Sequence, residues 1–225
     1  MLFKLDNRLA VCAQLVRSGT KLADIGTDHA YLPVWLARNG KISSAIAADI
    51  NPQPLERGLE NIRRYSAEGT VTTRLSNGLQ NIKPDEADDI VIAGMGAELI
   101  IDIVSKAEWL KNGDKRLILQ PMTRAYMLRR YLHENGFEIK AEIACEQNGK
   151  VYSVIMSEYS GSPIIAEEFE EYIGKLDMNL PISKKYGLQV LKKLADRREG
   201  LNHTGKDTSS IDKIIHELNV RCEND

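Results

Sequence analysis

The sequence predicts an α/β protein: a seven-stranded, mostly parallel sheet closed by an antiparallel hairpin, with a small all-helical domain behind it. Three observations carry this expectation. From Lys21 to about residue 160, short β-type runs alternate with amphipathic stretches, the pattern of repeated βαβ units. Two further β-type runs meet directly at Asn148-Gly149, a strong hairpin signal. After Gly161-Ser162-Pro163 only helical periodicity remains. The expected units are residues 1–160 and 161–225.

The elements follow in order. The first strand is read over 21–25, broken by Gly26, with a helix over 30–39 that ends at Gly40. A second strand spans 44–49. Asn51-Pro52 then reads as an N-cap followed by proline in the first turn, ahead of Leu55, Leu59 and Ile62 at helical spacing. The third strand, 70–76, ends at Asn77-Gly78, and the fourth, 89–93, at Gly94-Met95-Gly96. Leu99, Ile100, Ile103 and Val104 form the buried stripe expected for the next helix. The fifth strand, 116–120, is expected to stop at Pro121, and a helix over 123–135 to end at Gly136. Strands over 137–147 and 150–158 complete the sheet. The remainder predicts helices over 165–177 and 183–201, a loop over 202–208, and a last helix from Ser209 or Ser210. The final two helices form an antiparallel hairpin.

Composition narrows the function classes. The 225 residues are 43% apolar and 28% charged, as in an ordinary soluble domain. The longest apolar runs, such as Ile90 to Ala93, fall far short of the roughly 20 residues that cross a bilayer. With no signal-peptide pattern at Met1 to Arg8, a cytoplasmic location is expected. Cys12, Cys145 and Cys222 lie far apart and odd in number, which predicts reduced thiols and no metal site. The net charge of −2 does not announce a nucleic-acid binder, so any RNA contact must use a local basic surface.

In such a sheet ligands bind beyond the carboxyl ends of the strands, near the reversal of strand order. Strand one ends in Asp24-Ile-Gly26-Thr-Asp28-His29, which is not a G-x-G-x-x-G. Carboxylates there would repel a pyrophosphate and suit a cofactor with a cationic amino-acid end, such as S-adenosylmethionine. The alternative is an acidic turn with an aspartate cap. Asp49 lies 23 positions after Gly26, where an acidic residue can accept from ribose hydroxyls, although aspartate also begins many turns. Asn77-Gly78 could meet an adenine edge or be a plain turn. Gly94 and Gly96 suggest backbone close to something bulky, or simple loop flexibility.

Asp24-Ile-Gly-Thr-Asp-His-Ala-Tyr-Leu-Pro33, Ala93-Gly-Met-Gly96, Leu117-Ile-Leu-Gln-Pro121 and the opening Leu5-Asp-Asn-Arg-Leu9 together resemble the bacterial tRNA (adenine-22-N1)-methyltransferases, the TrmK family. The resemblance covers about residues 5–158. It implies a Rossmann-like class I methyltransferase sheet with a coiled-coil-like helical domain, S-adenosylmethionine as cofactor and tRNA as substrate. It further implies that Asp24, Gly26, Asp28, His29, Asp49, Asn77, Gly78 and Gly94 surround the cofactor, and that Asp28, Met95 and Gly96 lie close to the target base. Arg8, Tyr31, Gln120, Pro121, Met122 and Arg124 are the expected substrate contacts. Two departures stand out: Met122 where many members have asparagine, and Ala97 where glycine is frequent.

Tyr31, Tyr126 and Tyr131 are candidates for stacking on an exposed base, or packing aromatics. The cations available for RNA are Arg8, Arg63, Arg64, Arg124, Arg129, Arg130, Lys184, Lys185, Lys192, Lys193, Arg197 and Arg198. The enzyme is expected to act as a monomer. Competing readings are methyl transfer to a small molecule or protein, a non-catalytic RNA-associated regulator (which Met122 would encourage), and a nicotinamide-dependent oxidoreductase. The missing glycine pattern and the terminal hairpin disfavour the last.

Overall fold

A computed structural model describes residues 3–223. Its sheet has seven strands: β1 (Thr20–Ile25), β2 (Ile42–Asp49), β3 (Val71–Leu75), β4 (Asp89–Gly96), β5 (Arg116–Thr123), β6 (Phe137–Gln147) and β7 (Lys150–Tyr159). Their order is β3-β2-β1-β4-β5-β7-β6, with β1 to β5 parallel and β7 antiparallel to both β5 and β6. β1, β2, β4 and β5 each carry a short, largely buried apolar run, the continuous hydrophobicity that parallel strands covered on both faces need, whereas the edge strand β3 is mostly polar. Asn148 and Gly149 take φ 52° and 74°, the left-handed pair that a two-residue hairpin requires.

Helix α1 (Asn7–Leu15) precedes the sheet, and α2 (Tyr31–Arg38), α3 (Pro52–Arg64), α4 (Ala97–Ser105) and α5 (Ala125–Glu134) lie between strands. Two apolar layers result. Ile100, Ile103, Val104, Leu128 and Leu132 cover one face of the sheet, and Val11, Leu32, Leu36 and Ile62 the other. Helix α1 is absent from the sequence reading. Its start is signalled by Asp6, whose side chain accepts a hydrogen bond from the Leu9 N–H at 2.9 Å.

Several boundaries differ from expectation, each for a local reason. Pro121 does not stop β5, which runs on to Thr123. Pairing with β7 has already ended at Leu119, so the proline sits where the strand is bonded on one side only. Gly94, Met95 and Gly96 belong to β4 rather than to a loop after it, with irregular register opposite Gln120 to Thr123. Leu99 is half-exposed; the buried stripe of α4 is Ala97, Ile100, Ile103 and Val104, and Leu99 falls outside that arc. Helices α2 and α5 start late because Ala30 and Arg124 adopt positive φ. Asn51 occupies the N-cap of α3, but its side chain makes no capping bond.

The C-terminal helices are α6 (Glu168–Ile173), α7 (Pro181–His203) and α8 (Ser209–Glu223). Helix α6 is far shorter than the expected 165–177, because Gly174 turns the chain at φ 60° against the Glu142 carboxylate. Helix α7 begins at its proline rather than at Ser183 and absorbs the first two residues of the expected loop. It packs against α8 through Leu194, Ile211, Ile214 and Leu218, the expected helical hairpin. Leu188, by contrast, is exposed.

Candidate active site

Strand order reverses between β1 and β4, and a cavity of about 580 Å³ opens at their carboxyl ends. Gly26, Asp28 and Tyr31 line it from the β1 side, Ala93 and Gly94 from β4, and Phe3 to Asp6 with Arg8 and Leu9 from the N-terminus. The floor is pinned by backbone: Gly26 and Thr27 N–H groups both donate to the Ala48 carbonyl, and Ser76 N–H donates to that of Asp49.

Gly26 is required twice. Its φ of 72° disfavours other residues, and a Cβ there would overlap the Met95 methyl group, so Met95 packs directly on the β1 turn. Asp24 is buried beneath this turn and accepts a hydrogen bond from Thr27 Oγ1 at 2.6 Å. Burial pushes its carboxyl up to about 6, and the Thr27 bond partly offsets that. Asp28 projects into solvent at the cavity, 3.2 Å from His29 Nε2, and the His29 ring stacks on Tyr31. Phe3 meets both Tyr31 and Tyr65 edge-on.

The opposite wall is a hydrogen-bonded unit assembled from distant parts of the chain. The Oε1 of fully buried Gln120 accepts from the Gly94 N–H at 3.1 Å and from Arg8 Nη1 at 3.3 Å. Arg8 also reaches Met122 Sδ at 3.1 Å and Asp6 at 2.8 Å. Its buried Nε has no partner among the described residues.

The structure thus brings together Arg8, Gly26, Asp28, His29, Tyr31, Gly94, Met95, Gln120 and Met122. Gly96 ends β4 opposite Thr123. Asp49 closes β2 and accepts from the Asn51 N–H at 2.7 Å. Asn77 lines a separate cavity beside α4, and Gly78 packs against Ile103. Pro121, Met122 and Arg124 line another cavity on the β5 side, where Arg124 pairs with Glu98. Sequence reasoning gave no role to Phe3, Lys4, Asp6 or Thr27, although the opening Leu5 to Leu9 and the expected contact at Arg8 pointed to that segment.

Two proposed RNA contacts are corrected. Arg129 is fully buried in an ion pair with Glu142, and Arg130 is bound by Glu171 at 2.6 Å. Tyr131 is half-buried in packing against the core, and Tyr126 stacks on Tyr172.

Cys12, Cys145 and Cys222 form no disulfide among the described residues, and no helix among them is long and apolar enough to cross a membrane.

A methyltransferase-domain family matches residues 5–155. The tRNA (adenine(22)-N(1))-methyltransferase of Bacillus subtilis (strain 168) is 37% identical over 155 residues, 69% of this chain and 65% of that enzyme. The crystal structure of the B. subtilis M1A22 tRNA methyltransferase TrmK superposes with a TM-score of 0.80 at 31% identity, covering 99% of this chain and 97% of that one. The chain belongs to the TrmK family. Among other TrmK structures, that of M. capricolum TrmK, in complex with S-adenosylhomocysteine, covers 99% of both chains at 26% identity and a TM-score of 0.79. The TrmK likeness therefore extends over the C-terminal helices, beyond the reach of the sequence match.

Proposed function

We propose that this chain transfers a methyl group from S-adenosylmethionine to N1 of an adenine in tRNA, at position 22 in the D-arm. The observation that carries the reading is the cavity at the β1/β4 switch, in a chain whose whole length superposes on a TrmK structure. Its residues fit the cofactor's zwitterionic end. Asp28 and Asp6 offer carboxylates to an ammonium group, and Lys4 and Arg8, with its unpartnered Nε, offer cations to a carboxylate. The Gly26 turn and Gly94 let backbone approach closely, while Asp49 stands at the ribose end. Asn77 and Gly78, which follow β3 outside this cavity, are assigned to the cofactor on the TrmK resemblance alone.

The cofactor supplies an electrophilic methyl carbon on a sulfonium. Adenine N1 carries a lone pair at neutral pH, so the protein needs no strong general base. Its contribution is alignment of N1 with the methyl carbon and sulfur, and exclusion of water. As the new N–C bond forms, the electron pair of the breaking C–S bond stays on sulfur and positive charge passes to the adenine. Asp28 stabilises that charge. Gln120 fixes the Gly94 N–H and, through Arg8 and Met122, holds the wall where Met95 and Gly96 meet the base. N1 lies on the Watson–Crick edge, so a paired target is extruded first; Tyr31, half-exposed at the cavity, is its stacking partner. The reading includes a catalytic unit over 1–160 with a helical RNA-docking unit over 161–225, and a monomeric, metal-independent, cytoplasmic enzyme.

Nucleoside mass spectrometry of unmodified tRNA transcripts, incubated with protein and cofactor, tests this reading. New 1-methyladenosine at one D-arm adenine is expected; cofactor binding without methylation of any tRNA would overturn it.

A further inference from the structure

A second feature of the surface is unused by the chemistry above. Beyond the carboxyl end of β5 lie two adjoining cavities, of about 440 and 290 Å³, that share Arg124, Ala125, Tyr186 and Lys193. The first begins at Met122, whose sulfur touches Arg8 of the cofactor cavity, and extends past Lys150. The second continues along α7 to Arg197, walled by Tyr126 and Tyr172 stacked 5.0 Å apart. Neither lining contains a carboxylate, in a chain whose net charge is −2.

Arg124 is held by Glu98. Lys150, Lys193 and Arg197 make no side-chain hydrogen bond or ion pair with any described residue, whereas Arg129, Arg130 and Lys185 nearby are all paired. Unpaired cations packed beside one another repel, and a fold retains them at little cost only where they face water or an anion. They are strung across two cavities instead of converging on one point. Lys193 and Arg197 stand one turn apart on α7, about 6 Å along its axis. That layout suits a repeating anion more than a single small one.

We propose that this trough carries the sugar–phosphate backbone of the substrate RNA next to the reacting nucleotide, with Lys150, Lys193 and Arg197 each neutralising a phosphate. The inference rests on the tRNA reading above and adds the track by which RNA leaves the methyl-transfer corner. It also assigns α7 a role set by two residues of one face, not by the overall basicity of the helix. Because phosphate contacts carry no sequence information, the trough would supply affinity and orientation while the cavity at β1 and β4 selects the adenine.

The test compares K193Q/R197Q with K206Q/K213Q, which removes the same charge from exposed positions outside the trough. Binding of a tRNA transcript is followed over a salt series, with cofactor affinity measured alongside to report the fold. Each lost phosphate contact lowers the slope of log affinity against log salt by about 0.7 to 0.9. The trough variant should therefore lose about 1.4 to 1.8 in slope and at least about tenfold in tRNA affinity, read as Kd, with cofactor affinity unchanged. The control variant should keep the wild-type slope. An unchanged slope in the trough variant, or an equal loss in both, overturns the proposal. Binding is read without turnover, so failure of wild-type protein to methylate tRNA would refute the functional reading separately.

Discussion

Arg129 and Glu142 form an ion pair at 2.5 Å in which neither side chain is exposed to solvent. Arg129 spends its remaining donors on the carbonyls of Glu171 and Tyr172 and on the hydroxyls of Ser153 and Tyr186. One guanidinium thus ties α5 to β6, β7, α6 and α7, and so fixes the C-terminal helices on the sheet. Removing one member leaves a buried charge without its counterion. Glu142→Gln is expected to cost about 3–5 kcal/mol in urea unfolding. Replacing both partners, as in R129M/E142L, should cost less than that single change; an additive loss would contradict the account.

Gly26→Ala places a methyl group on the Met95 side chain and a non-glycine residue at φ 72°. Cofactor affinity should fall by at least about tenfold, since a shift of about 1 Å in such a site carries large penalties. The double variant G26A/M95A removes the overlap but not the backbone strain and should recover part of the loss. Calorimetric titration with S-adenosylmethionine reads both; full affinity in G26A would show that the turn tolerates displacement.

Asp28→Ala should reduce turnover by about 100-fold while retaining much cofactor affinity, because its charge acts on the methylated adenine and Asp6 still offers a carboxylate to the cofactor's ammonium group. Comparing kcat with the cofactor Kd separates these effects. Turnover equal to wild type would remove Asp28 from the mechanism.

Asp24 gives a pH signature. Its carboxyl rises from 3.8 to about 6 on burial, so the folded protein binds the proton more tightly than the unfolded chain. That preference stabilises the fold below about pH 4 and is lost as pH rises through about 6. Asp24→Asn should abolish this component. Without ligand, the D24N variant is expected to melt at a higher temperature than wild type above about pH 7, and at a similar one near about pH 4. A parallel pH dependence in both proteins would rule out a raised Asp24.

The residues legible in the sequence are those whose role is local. Asn148-Gly149 specifies its hairpin because only left-handed φ values close a two-residue turn. Gly26 and Gly94 mark their strands by the same conformational need, and alternation of apolar runs with amphipathic stretches fixes the order of elements. Motif and topology together placed Asp28 and Gly94 beside one cavity before any contact was visible. The tertiary structure alone decided partnerships between distant residues. Arg8 meets Gln120 across 112 positions and Arg129 disappears into Glu142, while Lys193 and Arg197, on the same kind of basic stretch, remain open along a trough. A cation reads identically in sequence whether it is to be buried, paired or left for a ligand. Its fate is set by which carboxylates and carbonyls the fold brings within about 3 Å, and no local propensity encodes that distance.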